Sequence, residues 1–198
     1  MLEGTIEGEQ ARELCSIYEK LDQAISEFLS CYDIHCKSGC GTCCEHFVPD
    51  ITEAEANYLA LYIIENKREE EVLGRFLDFS EDKKGPCPLY NKDSAFHCSV
   101  YQARPLICRL FGSTCFVNKE DKPIFRHCKW NDNHKDLSSS DITTEVPVMG
   151  KYGLAVENVI ANHSDTRLLP DAVTRAIFKM SLLIRYNNGG NDDNTIGA

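Results

Sequence analysis

Basic runs are missing from this chain, and 31 acidic side chains outnumber 21 basic ones for a net charge of −10. Clustered Lys and Arg are what hold a phosphate backbone or an anionic bilayer. Neither nucleic acid nor a membrane is therefore an expected partner. No apolar stretch approaches the roughly 18 residues needed to span a bilayer. The first nine residues, MLEGTIEGE, lack the positive charge and apolar core of a secretory leader. The expected location is the cytoplasm, where thiols stay reduced. Three catalytic signatures are also missing: a glycine-rich nucleotide loop, a Ser/His/Asp arrangement and a His-Glu-x-x-His helix.

What the chain has instead is cysteine. Of eleven, nine lie between Cys36 and Cys128. An odd count in a reducing compartment fits poorly with a closed disulfide framework. At 198 residues the chain can bury a core of its own without cross-links. Metal capture is the reading that accounts for so many sulfurs in one stretch.

Hydrophobic spacing predicts a mainly α fold, with helices packed around an irregular cysteine-rich centre. Leu14, Ile17, Tyr18, Leu21, Ile25, Phe28, Leu29 and Tyr32 recur at steps of three and four, one face of a helix over 7–32. Cys15 and Cys31 fall at the edge of that stripe and read as packing thiols. His35 to Glu45 has no period and reads as a loop. Thr52-Glu-Ala-Glu55 is a capping box that opens a helix to about Lys67. A further helix is expected over Glu69–Phe79, and one led by Pro105 and ending before Gly112. Phe116 to Phe125 has the pattern of one short β-hairpin. Helices over 147–162 and 170–186 follow, and the polar, Gly-rich residues 187–198 are expected to be a disordered tail. Residues 1–186 thus read as a single metal-binding domain with a core at 36–128.

Cys36-x3-Cys40-x2-Cys43-Cys44 has the short spacings that let sulfurs reach one ion without straining the backbone. Cys36, Cys40 and either Cys43 or Cys44 satisfy that rule. Adjacent side chains are expected to diverge, so the Cys43–Cys44 pair should feed two sites or one site larger than an ion. The distant sulfurs Cys87, Cys98, Cys108 and Cys128 are needed to close the site, whether as two four-cysteine sites or as an Fe–S cluster with a second metal. Arg104 and Arg109 are expected to donate hydrogen bonds to thiolate sulfur and offset its charge. Tyr101 and Phe111 read as packing around the site. His46, His97 and His127 read as bystanders, with His127 the one histidine placed to compete as a ligand.

The order Cys-x3-Cys-x2-Cys-Cys, then Cys87-Pro88-Leu89, then Cys98-x2-Tyr101-x2-Arg104-Pro105-x2-Cys108-Arg109-x-Phe111-Gly112 and a later cysteine resembles the YkgJ-type cysteine-cluster family. That family is named for a Cys-x2-Cys-x2-Cys-Cys signature and described as a zinc- or iron-chelating domain; here the first spacing is three residues. The resemblance implies the metal ligands Cys36, Cys40, Cys43, Cys44, Cys87, Cys98, Cys108 and Cys128, with Cys128 preferred to Cys115 for the last place. Zinc or iron, the latter also as an Fe–S cluster, is the implied cofactor, in a structural or interaction role. The same domain resembles part of flagellin lysine methylases. The alternative expectation is thus an iron- or Fe–S-dependent enzyme that modifies a protein or a small molecule.

Overall fold

A computed structural model describes residues 2–36, 40–80, 85–130, 135–160 and 165–189. Among the described residues the chain forms seven α-helices and two small antiparallel strand pairs. Helix α1 (Ile6–Cys31) starts where Thr5 accepts a hydrogen bond from the Gly8 amide at 3.1 Å. Its buried stripe is Leu14, Tyr18, Leu21, Ile25 and Phe28, the spacing read from the sequence. A short helix α2 (Thr42–His46) follows, then strand β1 (Asp50–Thr52). Thr52 and Glu55 cap each other at the start of α3 (Glu53–Glu65), and α4 (Glu69–Leu77) comes next.

A 3₁₀ turn at Tyr101–Ala103 leads into α5 (Leu106–Leu110), with Pro105 as its N-cap. Strands β2 (Cys115–Val117) and β3 (Pro123–Phe125) make the expected hairpin, with Cys115 opposite Phe125. The chain ends with α6 (Met149–Glu157), β4 (Thr166–Leu168) and α7 (Leu169–Gly189). Strand β4 pairs with β1, Ile51 opposite Arg167. No helix of the described residues is long and apolar enough to cross a membrane.

The main core lies between α3 and α7. Leu59, Ile63, Val173, Ile177 and Met180 are each at most 2% exposed. Cys87, Leu89, Val100 and Ala103 join the same cluster, so the cysteine-rich segment rests on that core. Helix α1 seals a second face, with Phe28 packed against Cys115 and Phe125.

Several boundaries differ from expectation. The supposed loop over His35–Glu45 contains the first residues of α2, a helix too short to leave a period. The helix expected over Glu69–Phe79 stops at Leu77. The helix expected over 147–162 runs only Met149–Glu157. Val159 continues the apolar pattern of this helix in sequence but packs from a turn, and residues 161–162 lie outside the described residues. Helix α7 continues through Asn187–Gly189, past the expected end at 186. The rest of the expected disordered tail, 190–198, lies outside the described residues.

Candidate metal centre

All eleven cysteines are free thiols. One cavity of about 450 Å³ is lined by sulfur-bearing residues from three separate stretches of chain. The first stretch contributes Cys36, Cys40, Cys43 and Cys44; the second Cys87 and Cys98; the third Cys108. The backbone explains how they meet. The Cys87 amide donates to the Cys44 carbonyl at 2.7 Å, clasping the first stretch to the second. Cys98 bridges back to Tyr90, and the Ser99 amide donates to Leu89 O at 2.9 Å, so the segment between Cys87 and Cys98 folds on itself. Gly41 permits the close approach of the first loop, because a Cβ there would lie 2.6 Å from His97 Cβ.

Cys108 rides on α5, whose start is fixed by Glu55. One Glu55 oxygen accepts from the Leu106 amide at 2.7 Å and the Tyr18 hydroxyl at 3.1 Å. Its other oxygen accepts from the Thr52 amide at 2.8 Å and the Thr52 hydroxyl at 2.9 Å. A single carboxylate, 6% exposed, thereby ties α1, α3 and α5 together beneath the cavity.

Cys128 is not in the lining of the cavity but lies beside it. Gly112, at φ +69°, brings its backbone so near that a Cβ would be 3.1 Å from Cys128 Cβ. Cys128 also acts on Cys36, whose thiol is raised first by burial and then by the neighbouring sulfurs of Cys40 and Cys128. Cys115 is elsewhere, fully buried among Phe28, Ile34 and Phe125, and burial pushes its thiol up to about 11.

Cys43 and Cys44 do not diverge as expected, for their sulfurs stand 4.0 Å apart within α2. Two sulfurs on one tetrahedral zinc, at about 2.3 Å from it, are separated by about 3.8 Å. Their separation is thus close to that of a pair sharing one ion. The hydrogen bond between Cys43 and Cys44 brings Cys43 down to about 6 against the opposing effect of burial; backbone amides and the Arg104 charge act in the same direction as that bond. The same hydrogen bond, followed by burial, holds Cys44 well above the ordinary thiol range. Burial raises Cys87 to about 11, and raises Cys98 and Cys108 as well.

The donor set is all soft sulfur, the kind that suits zinc and iron–sulfur centres. Among the described residues no three His, Cys, Asp or Glu side chains stand as a ready-made ion cage. The sulfurs instead line the walls of a wider space. A thiolate ligand must first lose its proton, which burial of Cys87, Cys98 and Cys108 opposes.

The two arginines divide their roles. Arg109 does not reach sulfur, contrary to expectation: it is 4% exposed and donates to Arg104 O at 2.9 Å, to Gln102 O at 2.6 Å and to Asp22. Its guanidinium also stacks 4.1 Å from the Tyr18 ring centre. It therefore fixes the turn before α5. Both arginines line the cavity, and Arg104 stacks 3.8 Å over Tyr101. Its buried Nε has no hydrogen-bond partner among the described residues. Of the histidines, His46 stacks on Trp130 and His97 on Tyr90, while His127 Nδ1 meets Asp136 Oδ1 at 2.8 Å.

Asp22, Glu55, Phe47 and Phe96 carry no site signal in the sequence. Glu55 is visible there only as a cap, and the others carry no spacing signal.

No curated protein and no solved structure matches the chain. Residues 35–135, half of the chain, match the family model CxxCxxCC, described as "Putative zinc- or iron-chelating domain". The matched span takes in every cysteine around the cavity, and the chain belongs to the CxxCxxCC family.

Proposed function

We propose that the chain binds zinc or iron through Cys36, Cys40, Cys43, Cys44, Cys87, Cys98, Cys108 and Cys128, and that the bound metal fixes residues 36–128 in a single cytoplasmic domain with a structural or interaction role. The observation that carries this reading is the convergence of seven sulfurs, from three stretches of chain, on one cavity. Cys128 takes the last place in preference to Cys115, because it neighbours Cys36 and Gly112 while Cys115 is packed among apolar side chains. Bound metal would supply positive charge to sulfurs that burial otherwise keeps protonated, and so couple loading to folding. Arg104, which lines the same cavity with its buried Nε unpartnered among the described residues, would donate to one of those sulfurs.

Anaerobic purification followed by elemental analysis and a free-thiol count tests this reading. The expected result is at least one zinc or iron per chain, lost when Cys43 and Cys98 are both changed to Ser. A chain that takes up neither metal and titrates as eleven free thiols would refute it.

The size and lining of the cavity favour a second reading, an iron- or Fe–S-dependent enzyme acting on a protein or small molecule. About 450 Å³ lies within the roughly 300–1,000 Å³ of small-molecule sites. Phe47, Phe96, Tyr101 and Phe111 give it an apolar wall. A brown anaerobic preparation with iron and acid-labile sulfide supports this reading. A colourless zinc protein removes it, since zinc is redox-inert.

A further inference from the structure

A second cavity, of about 250 Å³, lies where β1, α3, β4 and α7 meet. Asn57 of α3 lines it at 4% exposure, and neither its Oδ1 nor its Nδ2 has a hydrogen-bond partner among the described residues. A buried carboxamide with both ends unmet is costly to the fold, and leucine would fill the same space without that cost. Arg167, Arg175 and Lys179 stand around the cavity together with Glu53 and Asp165. The basic groups are already matched. Lys179 Nζ lies 2.9 Å from Glu53, Arg175 Nε 2.8 Å from Asp171, and Arg167 3.7 Å from Asp171.

We propose that this cavity binds a small zwitterion of the α-amino-acid class. A lone anion would meet cations already neutralised and carboxylates facing it. A ligand with both charges can exchange into the existing ion pairs and leave their balance unchanged. Asn57 suits both ends, because Oδ1 accepts from an ammonium while Nδ2 donates to a carboxylate. Ala56, Ala172 and Ala176 keep the walls short, and the volume falls below that of drug-sized sites.

Calorimetric titration of the full, metal-replete chain with each of the twenty free L-amino acids tests the proposal, with acetate and methylammonium as single-charge probes. At least one amino acid should bind at one site per chain, under conditions where neither probe binds. Arg175→Ala, at an exposed position, should weaken that binding at least about tenfold, the loss expected of one charge-assisted hydrogen bond. Asn57→Leu should abolish it. The proposal is overturned if no amino acid binds, if acetate binds as well as the best of them, or if both variants bind like the parent. Should Asn57→Leu fail to fold, Arg175→Ala decides alone.

Discussion

Replacing Glu55 by Gln tests whether one carboxylate positions the helix that carries Cys108. Each Glu55 oxygen takes two donors, one of them a backbone amide: Leu106 for Oε1 and Thr52 for Oε2. Glutamine has the same shape but only one acceptor oxygen. Whichever way its amide is turned, an NH₂ group faces one of the two backbone N–H groups. The hydroxyls of Tyr18 and Thr52 can rotate to become acceptors, but a backbone N–H cannot. The expected cost is therefore that of one unmet buried donor plus the lost charge, about 1–3 kcal/mol. Glu55→Ala leaves both amides unmet and should cost more, about 3–5 kcal/mol. Urea denaturation of the metal-loaded chain, read by the midpoint at constant slope, measures both. Metal per chain, measured alongside, should fall if α5 shifts. A Glu55→Gln midpoint equivalent to less than about 0.5 kcal/mol of destabilisation, within the range of neutral surface changes, would refute the reasoning.

Four further outcomes follow from other positions. Arg109→Met leaves the carbonyls of Gln102 and Arg104 without their buried donor and removes the partner of half-exposed Asp22, and should lower stability by about 1–3 kcal/mol in the same urea assay. Gly112→Ala forces a side chain onto a φ of +69° and against Cys128, so it should cost about 1–3 kcal/mol and reduce bound metal. Gly74→Ala, in the open middle of α4, should instead stabilise by about 0.5–1 kcal/mol. Cys115 holds its proton up to about 11 when folded, above the ordinary thiol value, so its contribution is complete below pH 9 and is lost as the pH rises from 9 to 11. The stability difference between the parent and Cys115→Val should be flat below pH 9 and shift against the parent above it, as thermal melts across that range would show.

The parts of this molecule that are legible in its sequence are those set by neighbours along the chain. Leu14 to Phe28 give α1 because every third or fourth residue faces the core, and Thr52 with Glu55 marks the start of α3. The short cysteine spacings mark the centre in the same local way, and the family match covers the same span. Elements held by distant partners leave no such trace. The β1–β4 pair is three residues long and joins positions far apart in the chain, so neither strand has room for an alternating pattern. Arg109 reads as a neighbour of sulfur because Cys108 is adjacent, yet its partners are Asp22 and two carbonyls. The meeting of Cys43 and Cys44 sulfurs was likewise hidden by the unpredicted turn of helix beneath them.

The pairing of β1 with β4 has a consequence for biosynthesis. Every cysteine from Cys36 to Cys128 leaves the ribosome before Thr166–Leu168 and α7 are made. At that stage Leu59 and Ile63 still lack Val173, Ile177 and Met180 to cover them. The nascent chain thus presents its complete set of sulfurs together with a bare apolar helix, a state prone to aggregate while it waits for its last segment. Loading of metal during synthesis would hold the middle of the chain in register until α7 arrives to seal that helix.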